Sequence, residues 1–98
     1  MTVTRIGEMK ARQGQEAALR AFFDTIIVPA VQSSPGIQSC HLLQNQDEPT
    51  RFIFIEVWDS IEAHQASAKN IDPNQIDRVM KLLADTPRGE YFSDNGVA

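Results

Sequence analysis

The sequence predicts an α+β fold in which helical segments cover one face of a four-stranded antiparallel sheet. Three observations carry that expectation. Apolar residues recur at three- and four-residue steps in Leu19, Phe22, Phe23, Ile26 and Ala30, the stripe of an amphipathic helix. The run "FIFIEVW", Phe52 to Trp58, alternates with period two and is apolar on both faces, as a strand covered from two sides must be. Helix start signals then follow in "DSIE" and "IDPNQ". Strand, helix, strand, strand, one or two helices and strand is the chain order of the ferredoxin-like split βαβ arrangement.

Each element has its own local cause. "VTRIGEMKA", Val3 to Ala11, is a strand weakened at its centre by Gly7. The first helix begins near Gln15, and Pro29, which has no amide to donate, predicts a kink or break near Ile26 to Val28. "SSPG" stops it. A second strand, Ile37 to Gln44, runs into "NQDEPT", whose Asn45, Asp47 and Pro49 favour a turn, so strands two and three form an antiparallel hairpin. In "DSIE" either Asp59 or Ser60 can cap a short helix reaching about Lys69, with Glu62 as the reciprocal partner of Asp59. Asp72 caps the next helix, with Pro73 at its first position, and its expected buried stripe is Ile76, Val79, Met80 and Leu83. Thr86 and Pro87 end it, and "RGEYFS" is the last strand.

Composition narrows the function. At 98 residues the chain is expected to be one domain, spanning 1–98, of a size that buries a little over ~60% of its unfolded surface. Thirteen acidic and nine scattered basic residues give a net charge of -4, which does not suit a phosphate backbone, so no nucleic-acid partner is expected. The single cysteine, Cys40, cannot form an intrachain disulfide, "MTVTRIGEMK" lacks the apolar region of a signal peptide, and the cytoplasm is the default compartment. The longest apolar run, "IIVPAV", falls far short of the ~20 residues that span a bilayer, and no membrane partner is expected.

Strand three poses a packing problem. Helices cover one face of the sheet, so either the row Ile53, Ile55 and Val57 or the row Phe52, Phe54, Glu56 and Trp58 would lie on an open apolar face. A second copy of the chain is the simplest cover, and a homodimer is expected.

The residues Glu56, Trp58, His64 and Ser67 in "FIFIEVWDSIEAHQAS", with the Pro35-Gly36 turn, resemble the corresponding segments of the antibiotic biosynthesis monooxygenase family. The resemblance implies a dimeric α/β barrel, a pocket between each subunit's sheet and helices, and Phe54, Glu56 and Trp58 facing that pocket while Ile53, Ile55 and Val57 face the partner. It further implies oxygenation of an aromatic, phenolic or quinol-like small molecule by dioxygen, with no cofactor and no metal. The family's demonstrated oxygenases present an asparagine at positions that here read Gly7 or Phe54. Haem-degrading relatives carry their ligating histidine near Ala68, and this chain has none there.

Such chemistry needs an apolar cavity and a base that removes a phenolic proton. Glu56, among Phe52, Phe54 and Trp58, is expected to be desolvated and its carboxyl raised, and His64 titrates near neutrality without tuning. These two are the candidate catalytic residues; Phe54, Trp58 and Phe23 are the candidate substrate-binding walls. Each has a bland counterpart: a hydrogen-bonded structural carboxylate, a packed histidine, and core aromatics. Cys40 and His41 are adjacent on a strand and point to opposite faces, so they form no nucleophile and base pair, while a pairing of Cys40 with His64 stays open. Two isolated histidines make no recognisable zinc site, and the five separated glycines make no phosphate loop. Two functions therefore stand: a cofactor-independent monooxygenase, or a dimeric small-ligand-binding or stress-response module of the same fold.

Overall fold

A computed structural model of the chain describes residues 2–97. The elements follow the expected order: β1 Val3–Lys10, α1 Glu16–Phe22, a π turn Phe23–Ile27, α2 Val28–Gln32, β2 Ile37–Gln44, β3 Arg51–Trp58, α3 Ile61–Ser67, a 3-10 turn Ala68–Asn70, α4 Pro73–Leu82 and β4 Arg88–Phe92. The sheet order is β2-β3-β1-β4 with every neighbouring pair antiparallel, a ferredoxin-like α+β fold with β1 and β3 inside and β2 and β4 at the edges.

Register decides what shares a face. Gly7 stands opposite Phe54 and Arg5 opposite Glu56 between β1 and β3. Cys40 is opposite Glu56 from β2, and Tyr91 opposite Arg5 from β4. Cys40, Glu56, Arg5 and Tyr91 thus form one row across the sheet. A bulge between Ile37 and Ser39 sets the phase of β2, which places Cys40 and Leu42 against the core.

The core lies between this face and the helices. Phe23 meets Phe52 and Phe54 edge-on at centroid distances of 5.2 Å and 4.9 Å, with Leu19, Phe22, Val79 and Leu83 packed around them. Burial of that apolar surface is the main source of stability. On the opposite face Ile53, Ile55 and Val57 are only half-buried, so the helices cover the row that contains Glu56.

Three local expectations are narrowed or corrected. Pro29 brings the expected irregularity but not a break: the chain relieves the missing amide with a π turn and continues, and the extra residue shifts the phase so that Val31 is buried where Ala30 was expected. Of the two candidate caps, Ser60 caps α3, its Oγ accepting from the Ala63 amide at 3.1 Å, while Asp59 accepts from Gln38 Nε2 at 2.7 Å. With Ser60 as cap the third helical position is Ala63, and the reciprocal arm from Glu62 has no place. In α4, capped by Asp72 as expected, Val79 is buried but Ile76 and Met80 are 40% and 43% exposed, because the helix leans on α1 through Val79 and Leu82. Among the described residues no helix is long and apolar enough to cross a membrane.

Candidate functional site

Alternation along β3 places Phe54, Glu56 and Trp58 under the helices, and the Ser60 cap sets the start of α3 so that His64 comes down over Trp58. Their rings meet edge-on at 5.5 Å. Trp58 Nε1 donates to Glu56 Oε1 at 2.9 Å, a contact that two residues on the same face of a strand can make without backbone distortion. His64 Nδ1 is hydrogen-bonded to Tyr91 Oη at 2.5 Å, and Ser67 Oγ donates to the His64 carbonyl. Arg5 completes the group, its Cζ 5.0 Å from the centroid of the Tyr91 ring.

Of this group, Arg5, Phe54, Glu56, His64 and Ser67 border a cavity of about 250 Å³ between the sheet and the helical layer. Arg5, Gly7, Phe54 and Glu56 form its floor, His64, Gln65 and Ser67 one wall, and Ile27, Val31 and Ile71 the other. The π turn matters here, since it directs Ile27 and Val31 to this space. Buried Ser34 ties the walls together: its Oγ donates to the Ala30 carbonyl and accepts from Asn70 Nδ2, both at 2.7 Å.

Burial raises the Glu56 carboxyl above its ordinary range, against the Trp58 hydrogen bond and the Arg5 charge, which both lower it. Burial lowers His64, and Arg5 adds to that, so the imidazole is neutral at pH 7. The Cys40 thiol is pushed up to about 11 by burial and by the Glu56 charge, so it is no thiolate nucleophile. Among the described residues no group of three or more His, Cys, Asp or Glu side chains could hold a metal ion.

Of the residues singled out in the sequence, Phe54, Glu56 and His64 line one cavity. Trp58 and Phe23 are wholly buried and stand behind it, Trp58 under His64 and Phe23 against Phe54. Arg5 and Tyr91 were not foreseen. The available signal was the alternation of β1, which puts Arg5 on the same face as Gly7, but it speaks only once β1 is known to be an interior strand. The arrangement provides a neutral imidazole, a carboxyl with a raised proton affinity and a guanidinium beside a largely apolar space.

The model of the antibiotic biosynthesis monooxygenase family matches residues 2–81. The chain belongs to this family. Solved structures agree with that assignment across antibiotic biosynthesis monooxygenases and related folds. Rv0793 from Mycobacterium tuberculosis is 23% identical with a TM-score of 0.81, covering 100% of this chain and 99% of its own. A candidate antibiotic biosynthesis monooxygenase from Chloroflexus aurantiacus is 29% identical with a TM-score of 0.72, covering 99% and 98%. SnoaB, a cofactor-independent oxygenase from Streptomyces nogalater, is 18% identical with a TM-score of 0.78, covering 98% and 95%, a likeness of fold. No curated protein matches the sequence significantly.

Proposed function

We propose that this antibiotic biosynthesis monooxygenase family member is a cofactor-independent monooxygenase acting on a small phenolic or quinol-like aromatic, with His64 as the base. The observation that carries the proposal is the convergence of His64, Glu56 and Phe54 on one cavity. Glu56 also keeps the structural hydrogen bond from Trp58, and His64 packs on the Trp58 ring, so the reading rests on their shared access to that space.

The cavity limits the substrate. At about 250 Å³ it lies just below the ~300–1,000 Å³ common for ligand sites, a fit for one or two fused rings. Such a ring has Phe54 beneath it and Ile27 and Val31 beside it. In the tautomer that donates Nδ1–H to Tyr91 Oη, His64 keeps the Nε2 lone pair for the phenolic proton. Because the imidazole is held neutral, it is in the state that accepts the proton. The resulting phenolate passes one electron to dioxygen, and the two radicals couple at the ring carbon para to the oxygen. The peroxide takes a proton, and loss of water leaves a quinone. Phenol and dioxygen thus give quinone and water, with no external reductant.

Glu56 has a separate role in this scheme. One of its oxygens is engaged by Trp58, and its raised proton affinity suits it to return a proton to the peroxide. The same proposal includes a second copy of the chain on the open sheet face, where Leu43 and Phe92 are 49% and 46% exposed beside the half-buried Ile6, Ile53, Ile55 and Val57. A non-catalytic ligand-binding module is favoured by one feature: Gly7 and Phe54 face each other on the cavity floor where the family's oxygenases present an asparagine. The Gln65 side chain is the amide that does line the cavity.

Oxygen uptake with a panel of quinols and bicyclic phenols tests the proposal. The wild type is expected to consume oxygen, His64→Ala to lose it by ~10²-fold or more, and Glu56→Gln to retain binding with a lowered rate. No uptake across the panel, with ligands still raising the melting temperature, would select the binding module.

A further inference from the structure

We propose that Arg5 is an anion-recognition residue, making the cavity selective for aromatic ligands that carry a carboxylate next to the reacting hydroxyl. The inference rests on the cavity being the ligand site, and it adds a substrate class that the reaction itself does not demand.

Arg5 sits on an interior strand, half-buried, and its side chain borders a mostly apolar space. Its register partner is Glu56, yet the two do not reach ion-pair distance. Among the described residues the ion pairs are Arg20 with Asp24, and Arg51 with Glu8 and Glu48, and Arg5 enters none. No hydrogen bond from its guanidinium is formed with another described side chain or carbonyl. Its N–H donors therefore have no protein acceptor and, being only half-buried, are open to water or to an anionic ligand in the cavity that Arg5 lines.

The seat of the guanidinium is built. Tyr91 supplies a ring face at 5.0 Å, a cation–π contact that holds the plane without using its N–H donors. Below it lies Gly89, where a Cβ atom would stand 2.1 Å from an Arg5 nitrogen. Any larger residue there would push the guanidinium off its place. A ring and a glycine gap thus position a planar fork whose natural partner is a planar carboxylate.

The surrounding charges permit this. Glu8 and Arg88 are register partners whose side chains alternate to the other face of the sheet, where Glu8 lies 3.8 Å from Arg51, so neither charge competes for the Arg5 guanidinium. Glu56 is the remaining carboxyl, and its engagement by Trp58 keeps it off Arg5. A carboxylate ortho to a phenolic hydroxyl would reach Arg5 while the hydroxyl faces His64, since both side chains are joined through Tyr91.

Matched ligands test it: 1-hydroxy-2-naphthoate and 1-naphthol differ only in the carboxylate, and both leave the carbon para to the hydroxyl free. Titrated by calorimetry, the wild type is expected to bind the hydroxynaphthoate ~10- to 100-fold more tightly. Arg5→Met should bring the two affinities within a few fold by weakening the hydroxynaphthoate alone, and Arg5→Lys should keep part of the preference. Gly89→Ala, which displaces the guanidinium without removing it, should lower the preference as well and serves if Arg5→Met does not fold. Equal affinities in the wild type, or a preference untouched by these variants, overturns the role of Arg5. A preference that follows Arg5 without oxygen uptake upholds this inference while sinking the oxygenase. Binding of neither ligand overturns both.

Discussion

Glu56 and Trp58 stand two residues apart on one strand, and the indole N–H is what makes the buried carboxyl tolerable. Glu56 is 6% exposed, so its ionised form has lost most of its water and relies on that single donor and on the Arg5 field. Its folded proton affinity lies above the ordinary value of 4.5, so the folded state holds more protons than the unfolded one as pH rises through that interval. Stability contributed by the neutral carboxyl is therefore full below about pH 4.5 and lost as pH climbs through the raised value. Trp58→Phe removes a lowering influence, so the Glu56 carboxyl should titrate still higher, followed by carboxyl ¹³C shifts. Stability at pH 7 should fall by about 2–4 kcal/mol from the unmet oxygen and the smaller ring. A Glu56 titration unchanged in Trp58→Phe would show that the hydrogen bond is unimportant. The sequence made Glu56 conspicuous, as a carboxylate among aromatics. It could not show Trp58 as its donor, because the side-chain geometry that closes the 2.9 Å contact is invisible to periodicity.

At the scale of elements, the fold was legible wherever one local signal acted alone. Strand two runs from Ile37 to Gln44 as expected, and Asp72 with Pro73 opens α4. Legibility failed where two signals competed. Asp59 and Ser60 can both cap, and the outcome turned on Gln38, a bulged residue of β2 that claims the Asp59 carboxylate across the sheet. Pro29 announced an irregularity, while its form, a π turn, follows from packing on both sides that keeps the helix going. The turn before β2 has the firmest geometric demand. Gly36 has φ +92°, and a Cβ there would lie 2.8 Å from the Ala63 Cβ, so the loop can lie against α3 only as glycine. Gly36→Ala should cost about 2–3 kcal/mol, part backbone strain and part clash, and lower the melting temperature by roughly 8–20 °C. Adding Ala63→Gly removes the clash and leaves the strain, so the pair should couple favourably in a double-mutant cycle by ~1 kcal/mol. Purely additive effects would mean that α3 yields freely, and His64 with it.

For the whole molecule the unbalanced feature is the sheet face that no helix covers. Its aliphatic row was visible in the sequence as the second apolar face of strand three, but period two alone does not say which row faces the helices. The structure puts Ile53, Ile55 and Val57 outside, together with Leu43 and Phe92, in a flat patch of the kind soluble monomers seldom expose. A second copy fits better than a dissimilar partner, because the patch crosses four strands and can meet itself about a two-fold axis. Ile55 is opposite Ile6 and His41 near the middle of that patch. A carboxylate placed there would be buried without a counter-charge in the paired state, at a cost of several kcal/mol per subunit, yet would be solvated in a single chain. Light scattering on the wild type should give twice the mass of one chain, and Ile55→Glu should give the mass of one chain or an unfolded protein. Since Ile55 lies between Phe54 and Glu56 on β3, loss of the pairing also uncovers the back of the strand that carries the cavity floor, so the monomeric variant should bind 1-hydroxy-2-naphthoate more weakly with no residue of the cavity changed. A wild type of single-chain mass, or an Ile55→Glu variant that keeps the doubled mass, would mean that this face is covered by something other than its own copy.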